Sequence, residues 1–150
     1  MKLIETCPIS DELVGETTTR VIAASVLAVA VAFVATKSPW IPALLAADFG
    51  LRAFGRGRWS PIGVFAKHVV MTFSLADPTV NAAPKRFAAV IGFGLMLTST
   101  ILAFTEYART GGALVGVLAI CATLEAACGY CVGCKLYSIS VHVQASRRPL

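Results

Sequence analysis

The chain has 150 residues, the length of one ordinary domain, yet 57% of them are hydrophobic and only 14% charged, with a mean hydropathy of +0.76. A soluble domain carries about 25% charged residues and a disordered chain is poor in apolar ones, so the composition excludes both and leaves the membrane. The net charge of +5 comes from 13 Lys and Arg against 8 Asp and Glu. These basic residues sit in short runs between apolar segments, as the positive-inside rule expects, and not on the single basic face that binds nucleic acid.

Residues 1–19 hold Glu5, Asp11, Glu12 and Glu16, half of all the acids. No basic start with an apolar run precedes Arg20, so this segment reads as a retained cytoplasmic cap and not a signal peptide. Residues 21–36 are uncharged and form the first span, with Arg20 and Lys37 placed to snorkel at its ends. Ala24, Ala28 and Ala32 fall four apart, a stripe expected to face another helix. A turn at Ser38-Pro39 and an interfacial Trp40 lead into a second, shorter span over 40–54. Ser60-Pro61 is a helix start, with Ser as N-cap and Pro in the first turn. Residues 61–76 carry Lys67 and His68 at their middle, which suits an interfacial or re-entrant helix better than a span. After a loop from Asp77 to Pro84, a third span covers 87–105. A fourth runs from about Gly112 to Tyr130, with Gly112 and Gly116 as a helix-packing device.

The expected fold is an all-α integral membrane protein: four transmembrane helices as two hairpins, plus the interfacial or re-entrant helix at about 61–76. It is one membrane domain, with a cap (1–19), a helical bundle (20–134) and a cytoplasmic tail (135–150). With both termini inside, only Lys37 and Arg109 of the 13 basic residues fall outside, a strong asymmetry for short loops. A weak internal duplication is also visible. Arg20 opens the first span and Asp48 lies late in the second; Arg86 opens the third and Glu125 lies late in the fourth.

The cysteines are Cys7, Cys121, Cys128, Cys131 and Cys134. On the cytoplasmic side thiols are kept reduced, which disfavours a structural disulfide. The run Cys128-Gly-Tyr-Cys131-Val-Gly-Cys134 contains overlapping C-x-x-C spacings, which serve thiol redox, metal ligation or part of an iron–sulfur ligand set. Cys7, Cys131 and Cys134, with Cys128 or His68, can supply four ligands to zinc. A second C-x-x-C is missing, however, and so is the fourth cysteine that a cluster needs. No other cofactor is expected. His68 and His142 read as surface residues.

Cys7-Pro8, Arg20, the stretch Asp48-Phe49-Gly50-Leu51-Arg52, Ser60-Pro61, Ala83-Pro84-Lys85-Arg86-Phe87-Ala88, Leu124-Glu125 and Gly129-Tyr130-Cys131-Val-Gly-Cys134 occur in order. Together they resemble the bacterial integral-membrane family known as domain of unknown function 4395, over nearly the whole chain. The resemblance implies a multi-pass protein of the bacterial inner membrane. It also implies sulfur or thiol traffic with a soluble rhodanese- or thioredoxin-like partner, and it supplies no reaction. Cys121 and Cys128 lie outside the resembling pattern.

A C-x-x-C pair is activated when it sits at a helix N-terminus, where the dipole favours thiolate. Here the motif comes after a span, so the expectation is a helix C-terminus, where the dipole opposes thiolate and Lys135, Arg20, Arg52 or Arg86 must do the activating. A new helix starting near Cys134 would reverse the sign. An acid within a span normally pairs or faces a cavity. Asp48, Arg52, Arg20, Arg86 and Glu125 therefore form a candidate charge belt, with Glu125 a candidate proton acceptor for a thiol. The functional expectation is a membrane thiol protein that handles electrons or sulfane sulfur at Cys7, Cys131 and Cys134. The alternatives are a small oligomeric transporter or channel for a sulfur-containing ion, and an assembly subunit without chemistry.

Overall fold

The computed structural model describes residues 13–146. Its frame is three long helices: α1 (Glu16–Thr36), α4 (Ala82–Ala103) and α5 (Ala108–Cys128), of 21, 22 and 21 residues. At 1.5 Å per residue each runs roughly 31–33 Å, the thickness of a bilayer's hydrocarbon core. All three are long and apolar enough to cross a membrane, and only 22–28% of each apolar window is buried inside the protein. The outward faces, with Val31, Val90, Ile101 and Ile120 each about half exposed or more, have lipid as their fitting solvent.

α1 starts five residues before the predicted first span. Its first-turn N–H groups need acceptors, and the loop before the second half supplies them. Glu16 N–H donates to Pro78 O (2.8 Å), while Thr18 donates through N–H (3.0 Å) and Oγ1 (2.5 Å) to the Asp77 carboxylate. α2 (Trp40–Ala53) has 14 residues, only about 21 Å, so its length does not establish the fourth span. α3 (Pro61–Thr72) has Ser60 as its N-cap, accepting from Gly63 N–H at 3.0 Å, as the sequence predicts.

Two short strands went unforeseen. β1 (Leu13–Gly15) and β2 (Thr79–Asn81) pair antiparallel with Val14 opposite Val80. Each runs directly into a long helix, with Gly15 and Asn81 as the N-caps of α1 and α4. The offset that relates Val14 to Val80 also relates those caps, and it carries Arg20 onto Arg86. The same offset does not carry Asp48 onto Glu125.

α1 packs along α5, and α4 packs along both α2 and α5. At Gly92 a Cβ would come within 2.8 Å of the Phe49 ring, so the bare glycine is what lets α2 close on α4. The core joins Val26, Phe33, Leu45, Phe49, Met96 and Val115. At one end Trp40 meets Phe104 edge-on at 5.8 Å, tying the start of α2 to the end of α4. At the other end Arg20 holds the last carbonyls of α5, donating to Ala126 O and Ala127 O at 3.1–3.3 Å. Small residues do not behave as expected. Ala24, Ala28 and Ala32 face outward while Ala23, Val26 and Ala30 are buried. The close α4–α5 crossing is made by Gly111, where a Cβ would lie 2.9 Å from Ser99 O, whereas Gly116 has open space around it.

Candidate functional site

α5 ends at Gly129, whose left-handed φ of 66° costs an L side chain strain that glycine avoids. The chain then turns at once into α6 (Val132–Ser146), which lies against α4. The segment after Cys134 is therefore helical and packed, and the new helix begins inside the C-x-x-C motif. Cys131 stands at the N-cap: its carbonyl accepts the first α6 bond, from Lys135 N–H at 3.2 Å. The expectation of a helix C-terminus is thereby corrected. Local chemistry explains it, since Gly129 breaks α5 and leaves Tyr130 and Cys131 to begin a fresh helix. Gly133 completes the arrangement. A Cβ there would run into Ala88, so only glycine lets the first turn of α6 press onto α4.

Cys131 and Cys134 are free thiols, one buried and the other half-buried. A hydrogen bond from the Cys134 thiol holds the Cys131 thiol below the usual range, at about 7. The Cys134 N–H and Lys85 act in the same direction, against the opposing effects of burial and Glu125. The same bond, with burial, pushes Cys134 up. Of the two thiols, Cys131 is held lower and Cys134 higher.

The charge belt is present but wired differently from the expectation. Asp48 and Arg52 pair along α2 at 3.1 Å, and Asp48 also accepts from Ser60 Oγ (2.5 Å) and Ile62 N–H (3.2 Å). Glu125 pairs with Lys85 at 2.6 Å. Lys85 is the residue sequence reasoning missed. The signal was available, because an acid inside a span needs a partner and Lys85 adjoins the Arg86 that was singled out. Arg20 caps α5 through the Ala126 and Ala127 carbonyls. Arg86 lies by Gly55, just past α2, where a glycine Cβ would be 3.5 Å from its Nη2. Lys135 lies 5.7 Å from the Tyr130 ring.

These elements surround a cavity of about 710 Å³, within the range of small-molecule sites. Its cationic lining comes from Arg52, Arg58, Lys67, Lys85 and Arg86, its acids are Asp77 and Glu125, and Cys131 opens onto it. The family described as Domain of unknown function (DUF4395) matches residues 14–142. The chain belongs to that family. No curated protein and no solved structure matches it. In this DUF4395 chain the structure brings together Cys131, Cys134, Glu125 and Lys85, with Arg20 engaged on the α5 carbonyls. Cys7 lies outside the described residues. Among the described residues no three His, Cys, Asp or Glu side chains gather in a way that could hold a metal ion.

Proposed function

We propose that this DUF4395 chain is a membrane thiol protein that passes electrons or sulfane sulfur between a small molecule and a soluble rhodanese- or thioredoxin-like partner. The observation that carries this reading is Cys131 at the N-cap of α6, stabilised as thiolate by Cys134 and buried from bulk water yet open to the cavity. The Cys131 thiolate attacks a disulfide or persulfide sulfur. The S–S bond breaks, and the leaving sulfur departs with the electron pair. From a mixed disulfide, Cys134 then attacks the sulfur of Cys131, the bound thiol leaves as its thiolate and the Cys131–Cys134 disulfide forms. From a Cys131 persulfide, a thiolate of the soluble partner attacks the outer sulfur and takes it, and Cys131 leaves as thiolate. Glu125, within electrostatic reach of both thiols, takes the proton that Cys134 releases. A dithiol of the soluble partner reduces the disulfide by the same exchange. Cys7 is the third thiol of this proposal.

The proposal includes four crossings of the bacterial inner membrane with both termini cytoplasmic and α3 at the interface. Its support is that α2 begins beside the end of α4 and ends near Arg86 at the start of α4. The transport alternative has less support. Phe33, Met96 and Val115 are each at most 6% exposed inside the bundle.

Mass spectrometry of the protein in detergent, treated with a persulfide or disulfide donor, tests the chemistry. Cys134→Ser should trap the adduct on Cys131, and Cys131→Ser should abolish it. Undiminished loading of Cys131→Ser would overturn the assignment. For the topology, cysteine placed at Lys37 or Arg109 should label from outside intact cells and cysteine at Arg56 should not. Labelling at Arg56 would overturn the four-span arrangement.

A further inference from the structure

The cavity carries an unbalanced charge. Of its two acids, Asp77 is engaged by Thr18 and Glu125 by Lys85. Arg58 and Lys67 reach it from the exposed turn before α3 and from α3 itself. Arg52 is engaged as well. Its Nε faces Asp48 at 3.1 Å and its guanidinium carbon lies 4.5 Å from the centre of the Phe49 ring. Nε, Nη2 and Asp48 Oδ2 are all sealed from solvent, so the Arg52 charge is spent on Asp48 and the cations left to the cavity are Arg58 and Lys67. The rest of the lining is apolar, with Ile22, Val26 and Leu118 forming part of the wall, and the volume far exceeds a bare ion.

Building on the thiol reading, we propose that the cavity selects acidic substrates: a low-molecular-weight disulfide or persulfide whose anionic group sits on Arg58 and Lys67 while its sulfur meets Cys131. The apolar body of the substrate lies against the wall residues. In the transfer, the Cys131 thiolate bonds to one sulfur of the substrate disulfide, the S–S bond breaks, and the acidic thiol leaves as its thiolate. No oxidant beyond the substrate is required.

Two aromatic disulfides probe this directly, one dianionic (5,5′-dithiobis-2-nitrobenzoate) and one uncharged (4,4′-dithiodipyridine). Release of the aromatic thiol is followed by absorbance, with the modified cysteine identified by mass spectrometry. The preference of Cys131 for the dianion over the neutral reagent should exceed that of the exposed Cys128. Charge-assisted hydrogen bonds lost in Arg58→Gln/Lys67→Gln should reduce that preference about tenfold or more, with the melting temperature unchanged because both side chains are exposed. Sodium sulfate at constant ionic strength should slow the dianion in the parent protein only. An equal preference at Cys131 and Cys128, or one unaltered in the double variant, would overturn the inference. Reaction of Cys131 with the neutral reagent would leave the thiol reading standing in that case, and failure with both reagents would remove both. An anionic lipid headgroup is the other source of the same chemistry. Slowing of the dianion in phosphatidylglycerol nanodiscs but not in phosphatidylcholine, with sulfate inert in detergent, would assign the cavity to lipid and overturn the substrate claim.

Discussion

Near the end of α2, Asp48 is 3% exposed and holds Arg52, the Ser60 hydroxyl and the Ile62 N–H at once. Late in α5, Glu125 holds Lys85, both side chains are part-exposed, and the pair stands beside two thiols. Both helices end at the same end of the bundle, and an arginine from the start of a long helix lies near each: Arg20 of α1 on the carbonyls of α5, Arg86 of α4 by Gly55 after α2. The two helices differ in the turn that succeeds them. After α2, the turn to Ser60 folds a capping hydroxyl back onto the acid and seals it. After α5, Gly129 turns the chain into a new helix whose first turn presents Cys131 and Cys134. The pair at the end of α2 is sealed, and the pair at the end of α5 stands part-exposed beside the thiols.

Breaking the sealed pair should have the largest effect. Asp48→Ala strands Arg52 in the interior, a loss of about 3–5 kcal/mol, read as a collapse in detergent melting temperature and expression. Glu125→Gln should cost no more than about 1 kcal/mol. Equal destabilisation by the two would erase the distinction between the two pairs. Next in size is Gly133→Val, whose side chain cannot fit against Ala88. Overpacking of about 1–3 kcal/mol is expected, together with loss of the low titration of Cys131 as the first turn of α6 lifts from α4. A normal Cys131 titration in a fully stable Gly133→Val protein would detach the site from that packing.

Smaller effects separate stability from reactivity. Ser60→Ala removes the cap of α3 and a donor to buried Asp48, a loss of about 1–2 kcal/mol, with no change at Cys131. Cys134→Ala should do the reverse. The melting temperature holds, while the Cys131 midpoint rises from about 7 toward the ordinary thiol value because the thiolate loses its principal donor. The sign for Glu125→Gln is opposite. Its charge opposes the Cys131 thiolate, so the amide should lower the midpoint, while the Cys134-dependent resolving step slows if Glu125 accepts its proton. An unchanged resolving rate would leave Glu125 a structural partner only.

Much of the frame was legible in the sequence because apolar runs and charge-free stretches report long helices without reference to their neighbours. Ser60-Pro61 announced a cap and the structure has one. The elements that escaped depend on partners distant in the chain. Asp77 completes the start of α1 from across the chain, so the helix begins before its apolar run does. Ala24, Ala28 and Ala32 have helical spacing but face outward, because spacing shows which residues share a face and not what that face meets. The Lys85–Glu125 pair joins two helices whose rotation about their axes no composition reveals. The C-x-x-C motif was visible, and so were Gly129 and Gly133. Which helix owned the motif was not, and that choice sets the sign of the dipole acting on the thiols.

The most direct measurement is the pH dependence of Cys131 alkylation by iodoacetamide in a Cys7→Ser/Cys121→Ser/Cys128→Ser protein, followed by mass spectrometry in detergent. A lowered titration leaves Cys131 as thiolate down to near neutrality, so its rate should be half-maximal at about pH 7, with Cys134 unmodified over the same range. A midpoint at the ordinary thiol value of about 8.5, or Cys134 reacting ahead of Cys131, would contradict the account.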